Sequence, residues 1–225
     1  MCLHAQAGDL KFLNPVRKRM RKLLGESFLS LSFGDQNSVA DARLALKRTA
    51  GCFLVVFAHG GSDYIRGGEY VHRLTRELIE GEKLLTHGDV ALFRDKVVFC
   101  LSCDSNGLAP PSLRAGALGF VGFDSIPFNR YDRDGNPVST REFEQHAQRI
   151  MAFAVNAAIQ RFLTGRARLG EAVDFLRLLI CRAAVDFVRR NSALKDRREI
   201  AALLLRAKSG MRYHGDPDVQ FSVRR

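Results

Sequence analysis

Two side chains of this sequence have the types and positions that nucleophilic chemistry requires, a thiol and an imidazole. Cys103 follows a β-branched and aromatic stretch, 97–99, that predicts a buried strand, and a polar loop begins directly after it. His59 ends an earlier apolar stretch, 52–58, and is followed by Gly60 and Gly61. A thiol attacks as its thiolate, and a neighbouring imidazole can take its proton and later protonate a leaving amine. The pair therefore predicts acyl-transfer chemistry.

The two strands must run side by side for this chemistry to work. Parallel strands place their carboxyl ends at one edge of a sheet, where open α/β folds hold their ligands. His59 and Cys103 would then meet at that edge. Gly60 carries no side chain, so a substrate carbonyl could approach, and the amides of Gly60 and Cys103 could donate to a developing oxyanion.

The rest of the chain alternates predicted strands and helices. The alternation favours an α/β fold, a mostly parallel sheet flanked by helices on both faces. We expect a loose N-terminal arm over 1–13 with a basic helix over 15–24, and then one domain over 28–225. Further strands are predicted at 28–33, 52–58, 97–103, 117–123 and 219–223, and an exposed loop at 59–68. Helices are predicted at 38–48, 69–82, 110–116, 139–164, 171–190 and 196–208.

Composition limits the classes of protein that fit. The chain has 225 residues, 46% of them hydrophobic, which suits a globular domain with a substantial core. Its five cysteines are odd in number and lie mostly in apolar stretches, which favours free thiols in a reducing compartment. With no signal-peptide pattern and no apolar run of membrane-spanning length, we expect a cytoplasmic protein without membrane insertion. The net charge of +11 leaves nucleic acid open as a partner.

The same residues also occur in other kinds of site. Cys100 and Cys103 form a C-x-x-C pair, typical of redox or zinc sites, but two further zinc ligands with suitable spacing are missing from the sequence. His-Gly-Gly also occurs in the oxyanion loop of lipases, but the chain has no G-x-S-x-G motif for a serine nucleophile. Cys103 alone would be interpreted as a structural thiol, because most buried cysteines are inert.

An apolar strand that ends in His-Gly, followed by one that ends in Ser-Cys, resembles the caspase-like cysteine peptidases, which include caspases, metacaspases, separases, gingipains and clostripain. The bacterial caspase-like group called CHAT is the most similar of these. The stretch LRAGALGFVGF at 113–123 and the tail motif HGDP at 214–217 also resemble that group. The similarity extends from about residue 50 to the C-terminus.

The resemblance implies a caspase-like three-layer sandwich and a cysteine endopeptidase that needs neither cofactor nor metal. Cys103 would be the nucleophile, His59 the general base and acid, and Gly60 and Cys103 the oxyanion donors. The substrate would be a protein or peptide, with an activating or inhibitory protein partner, in bacterial defence or regulated cell death.

The specificity pocket departs from the family. Two residues before the cysteine, caspases carry Gln and metacaspases Asp, whereas this chain has Leu101. Preference for an acidic or a basic residue at the cleaved position therefore cannot be carried over. Asp63 and Asp124 lie on loops near the expected site, and either could select a basic residue.

Two functions without catalysis remain open. A catalytically inactive caspase-like adaptor would keep the fold and lose the chemistry. A nucleic-acid-binding module rests on the net charge alone, since no named nucleic-acid-binding motif is present.

Overall fold

The computed structural model describes residues 1–68, 70–71, 77–126 and 141–220. It contains six helices in these ranges: α1 (Asn14–Leu24), α2 (Gln36–Arg48), α3 (Ala109–Arg114), α4 (Arg141–Leu163), α5 (Leu169–Arg190) and α6 (Arg197–Gly210). The described strands are β1 (Cys2–Ala5), β2 (Ser30–Phe33), β3 (Phe53–Phe57), β4 (His59–Gly60), β5 (Tyr64–Arg66), β6 (Tyr70–Val71), β7 (Leu78–Ile79), β8 (Lys83–Thr86), β9 (Val97–Leu101), β10 (Gly119–Phe123) and β11 (Met211–Gly215).

Six of these strands form one sheet in the order β11-β10-β9-β3-β1-β2. All neighbours are parallel except β10 and β11, which pair antiparallel. The central strands are apolar along their whole length because both of their faces are covered, as parallel sheets require. The predicted α/β class, with a mostly parallel sheet, is confirmed.

Helices cover both faces of the sheet. Alternate residues of β3, such as Phe53, Val55 and Phe57, pack in one core cluster with α1, α4, α5 and α6. The residues between them, Leu54 and Val56, pack in a second cluster with α2, α3 and the small β4-β5-β8 sheet. The chain thus forms three layers, and the six-stranded sheet is the middle one.

Most predicted elements are present. The structure confirms the predicted helices at α1, α2, α3, α5 and α6 and the strands at β2, β3, β9 and β10, with shifts of a few residues at their ends. The long predicted helix appears as α4, and the start predicted for it at residue 139 lies outside the described residues. Asp35, rather than Ser38, caps α2, because its carboxylate accepts from the Ser38 amide at 2.8 Å.

The loose arm predicted at 1–13 is wrong. Residues 2–5 form β1, which lies inside the sheet between β2 and β3. Cys2 and Leu3 are fully buried in the two core layers. A strand of four residues is too short to show a periodicity, so burial of both faces, rather than local pattern, decides its structure.

The helix predicted over 69–82 is also wrong within the described residues. Residues 70–71 and 78–79 pair as two short antiparallel strands. Gly81 explains part of the difference, because a Cβ there would lie 2.4 Å from the Gly68 carbonyl oxygen. The backbone at 67–68 contacts the backbone at 81–82, and the Gly67 amide donates to the Glu82 carbonyl at 3.0 Å. This pairing is present in place of the helix that the apolar spacing predicts.

Two smaller predictions are corrected. The exposed loop at 59–68 contains β4 and β5, whose Ile65 is fully buried. A strand that was not predicted, β11, lies at 211–215, and the strand predicted at 219–223 lies mostly outside the described residues, which end at 220. None of the described helices combines the length and the apolar character needed to cross a bilayer.

Candidate active site

The two strands that carry the candidate dyad are parallel neighbours. In their register Phe57 of β3 lies opposite Leu101 of β9, and the Ala58 amide donates to the Leu101 carbonyl at 3.3 Å. His59 and Cys103 each follow two residues later. Both therefore leave the sheet at the same edge, on adjacent strands, as the sequence predicts.

Gly60 is tightly enclosed beside the cysteine segment. A Cβ at this position would lie 2.3 Å from Ser102 Oγ, 2.7 Å from the Tyr64 carbonyl oxygen and 3.5 Å from the Cys103 carbonyl oxygen. Contacts below 3 Å to a backbone oxygen cannot be relieved without moving the chain. Glycine is therefore required here for close approach of the two segments, in addition to any access it gives a substrate.

A sharp turn ends β9 at the cysteine. Asp104 adopts the left-handed backbone conformation, with φ of 54°, which is uncommon for residues other than glycine. A short 3₁₀ turn over Ser105–Leu108 follows. Left-handed residues at a strand end often mark functional positions, and here the turn directs the Cys103 segment away from the sheet.

Ser105 fastens this turn to the sheet. Its fully buried hydroxyl lies 3.0 Å from the Cys100 carbonyl and 2.9 Å from the Ser102 carbonyl, and it accepts from the Phe123 amide at 3.0 Å. One side chain thus links the end of β9 to β10. The position of Cys103 is fixed by hydrogen bonds on both sides of it.

The environment of Cys103 holds its thiol protonated. Burial is the main cause that raises the pKa of Cys103, and the charges of Asp104 and Asp9 add to it. A hydrogen bond from the Ile126 backbone acts in the opposite direction but does not outweigh burial. Cys103 is therefore not a preformed thiolate, and it needs a base to become a nucleophile.

Asp9 is the residue that sequence reasoning missed. Its carboxylate oxygen Oδ1 lies 3.2 Å from His59 Nε2. The contact lowers the pKa of Asp9: burial opposes ionisation, but the hydrogen bond and charge of His59, with backbone amides, exceed that effect. Asp9 also acts on Cys103 through its charge, so it stands near both members of the dyad.

A signal for Asp9 was present in the sequence. Cys2–Ala5 is followed by Gln6, Ala7, Gly8 and Asp9, a third apolar segment that ends in a polar turn. This segment has the same layout as the two strands that end before His59 and Cys103, and the prediction of a loose arm over 1–13 did not take that similarity into account.

The three residues expected to shape specificity have different surroundings. Leu101 is 2% exposed and packs in the core beneath the strand end, so it presents little surface to a substrate. Asp124 follows β10 at the same sheet edge, but its carboxylate already accepts from the Asn106 side-chain amide at 2.6 Å and lies 3.7 Å from Arg212. Asp63 is exposed in the turn between β4 and β5, and its carbonyl accepts from the His87 amide at 3.0 Å.

The first cysteine of the C-x-x-C pair is structural. Cys100 is fully buried in the core layer that faces α2 and α3, and burial raises its pKa to about 12. Within the described ranges, no three His, Cys, Asp or Glu side chains cluster closely enough to hold a metal ion.

Comparison of the chain with protein-family models and with curated proteins gives no match.

Proposed function

We propose that this chain is a caspase-like cysteine endopeptidase that uses Cys103 as nucleophile and His59 as general base and acid. The observation that carries the proposal is the register of β3 and β9, which brings the two residues to one edge on adjacent strands. The resemblance in the His-Gly and Ser-Cys motifs and the three-layer architecture support it.

The electrostatics suit a mechanism in which the thiol loses its proton during attack. With Asp9 accepting from Nε2–H of His59, the lone pair at Nδ1 is free to take the proton of the Cys103 thiol. The sulfur then bonds to the carbonyl carbon of the scissile peptide, and the oxygen of that carbonyl takes the negative charge. The amides of Gly60 and Cys103 donate to this oxyanion.

His59 completes the reaction. The imidazolium gives its proton to the leaving amine as the carbon–nitrogen bond breaks, which leaves a thioester on Cys103. A water molecule, deprotonated by His59, then attacks the thioester. The carboxylic acid product departs and the thiol regains a proton. Asp9 holds the orientation of the imidazole through their hydrogen bond, so it acts as a positioning residue.

Peptidases of the proposed family cleave protein substrates and are kept inactive until a trigger acts. We propose that a protein partner regulates this chain in the same way, in bacterial defence or regulated cell death. We also propose that the protein acts in the cytoplasm.

Nucleic-acid binding is the competing function, and the basic helix α1 gives it limited support. Two of its cations turn toward the protein, since Arg17 contacts His4 and Arg19 donates to Gln160 at 3.3 Å. Arg21 lies 5.9 Å from the centre of the Phe28 ring. Lys18 and Lys22 remain exposed, too small a group for a phosphate-tracking surface.

The test is covalent labelling with a panel of peptidyl acyloxymethyl ketones that differ in the residue next to the reactive group. Wild type, Cys103→Ala, His59→Ala and Cys181→Ala are compared by mass spectrometry. Cys181 is a matched control, because it is also a partly exposed free thiol but lies on α5.

We expect labelling of wild type and Cys181→Ala, none at this site in Cys103→Ala, and labelling slowed by at least about a hundredfold in His59→Ala. Equal labelling of all four proteins would overturn the proposal. Salt-sensitive DNA or RNA binding that persists in Cys103→Ala, with no labelling of wild type, would favour the competing function.

A further inference from the structure

A cavity of about 350 Å³ lies between the end of β1 and the start of α1, and Gly8 and Leu10, the neighbours of Asp9 in the chain, help to line it. The chain passes from β1 to β2 at the edge of the sheet and then crosses to β3 on the other side of β1, from which the sheet extends to β9 and β10. The strand order therefore reverses between β1 and β3. Ligands of open α/β sheets bind in the crevice at such a reversal, outside the carboxyl ends of the strands. The cavity occupies that place, and its volume falls in the range of small-molecule sites.

Cations line one part of the cavity. Lys11 and Arg17 both face it, and neither has a carboxylate partner among the residues that the structure describes. Arg17 instead donates to His4 Nε2. A guanidinium has five N–H donors and no acceptor, so donors of Arg17 remain for a further group.

His4 adds no positive charge of its own near neutral pH. Burial lowers its pKa to about 4, and the charge of Arg17 contributes. The imidazole is thus neutral and holds the guanidinium as a hydrogen-bond acceptor. This arrangement orients Arg17 and leaves its positive charge uncompensated, whereas a carboxylate partner would compensate that charge.

The remaining wall is mostly apolar. Ala5, Ala7, Leu10, Leu13 and Phe57 contribute to it, of which Ala7 and Leu10 are partly exposed, and Gln6 and Asn14 add polar side chains. A bare inorganic ion would leave this apolar surface uncovered. An organic molecule that joins an apolar body to one anionic group would satisfy both parts of the wall.

We propose that this cavity binds a small organic anion, with a phosphate or carboxylate group on Arg17 and Lys11 and an apolar body against Ala7 and Leu10, the more exposed apolar side chains of the lining. This binding site does not depend on the peptidase proposal. Gly8 and Leu10, which line the cavity, flank Asp9, the residue in contact with His59. Occupancy is therefore expected to change the environment of His59.

Isothermal titration with phenyl phosphate tests the proposal on the whole chain. Arg17→Met removes the oriented cation, and Lys18→Met is the matched control, because it removes the same charge from the next position of the same helix, where the side chain is exposed. Loss of a charge-assisted hydrogen bond predicts at least about tenfold weaker binding for Arg17→Met and less than about twofold for Lys18→Met.

Two further measurements keep the test decisive if Arg17→Met folds poorly. Lys11→Met, at an exposed position, is expected to weaken binding several-fold. In wild type, two-dimensional NMR is expected to show phenyl phosphate shifting the amides of 5–13 and the ring signals of His59.

Phenol and inorganic phosphate separate the two parts of the ligand. We expect each to bind more weakly than phenyl phosphate. Absence of saturable binding of phenyl phosphate at about 10 mM, phenol binding as tightly, or equal weakening by Arg17→Met and Lys18→Met would each overturn the proposal. NMR shifts that spare residues 5–13 and appear elsewhere in the chain would overturn it as well.

Discussion

Two buried serines on either side of Cys103 should respond in opposite ways to removal of the hydroxyl. Ser102 and Ser105 are 1% and 0% exposed, so the two substitutions remove the same atom from equally buried positions. The hydroxyl of Ser105 bonds to the Phe123 amide and to a carbonyl of the turn. The hydroxyl of Ser102 is buried without a partner among the described residues.

The magnitudes follow from these contacts. Ser105→Ala removes a donor and an acceptor at once and leaves the Phe123 amide without the hydroxyl it bonds. At about 1–3 kcal/mol for each buried group left unpaired, we expect a loss of about 2–4 kcal/mol in the free energy of unfolding. Ser102→Ala removes a hydroxyl whose burial is not compensated, so stability should stay the same or rise by about 1 kcal/mol.

Urea unfolding followed by circular dichroism measures both changes, since the chain has no tryptophan for fluorescence. A chain of this size should show a shift of about 2–4 °C in Tm for each kcal/mol. Ser105→Ala should also speed alkylation of Cys103, because the turn that holds the thiol loosens. Equal stability of the two variants, or a larger loss in Ser102→Ala, would refute the reasoning.

Three other perturbations have expected results. Gly60→Ala forces backbone contacts apart and should reduce probe labelling by about a hundredfold or more, whereas Gly88→Ala, with no atom closer than 3.7 Å to the added carbon, should label normally. The pKa of His4 is lowered to about 4 in the folded chain, so the unfolded chain binds more protons below the ordinary value of 6.5. The free energy of unfolding should therefore fall as pH decreases from about 6.5 to about 4. Urea titrations should show a weaker fall in His4→Gln than in wild type, and an equal fall in the two proteins would contradict this. Because the pKa of Cys103 is raised, its alkylation by iodoacetamide should accelerate only at alkaline pH, and a plateau already reached near pH 7 would contradict the described environment.

The sequence was sufficient to predict the middle of the sheet and the candidate dyad. β3, β9 and β10 are continuous apolar stretches bounded by polar turns, and such stretches predict buried parallel strands without tertiary information. The placement of His59 and Cys103 at one edge then requires that β3 and β9 be parallel neighbours, which the structure shows. Helices with a clear apolar face, such as α5, could equally be predicted from the sequence.

Features decided by tertiary contact were not predictable in this way. β1 becomes a strand because β2 and β3 bond to both of its edges, and nothing in its four residues requires that. Asp9 could not be connected to His59 while β1 was unassigned. β11 lacks the alternation of a half-buried strand, since only its first residue, Met211, is fully buried, and the sequence therefore gives no sign of it.

The candidate site is assembled from segments that follow four strands of the sheet: Asp9 follows β1, His59 follows β3, Cys103 follows β9, and Ile126 follows β10. No fragment shorter than residues 9–126 contains all four groups. Native-state hydrogen exchange should therefore find that the amides of these strand ends open together with the centre of the sheet, and reactivity of the site should report the integrity of the whole sheet rather than of any local loop.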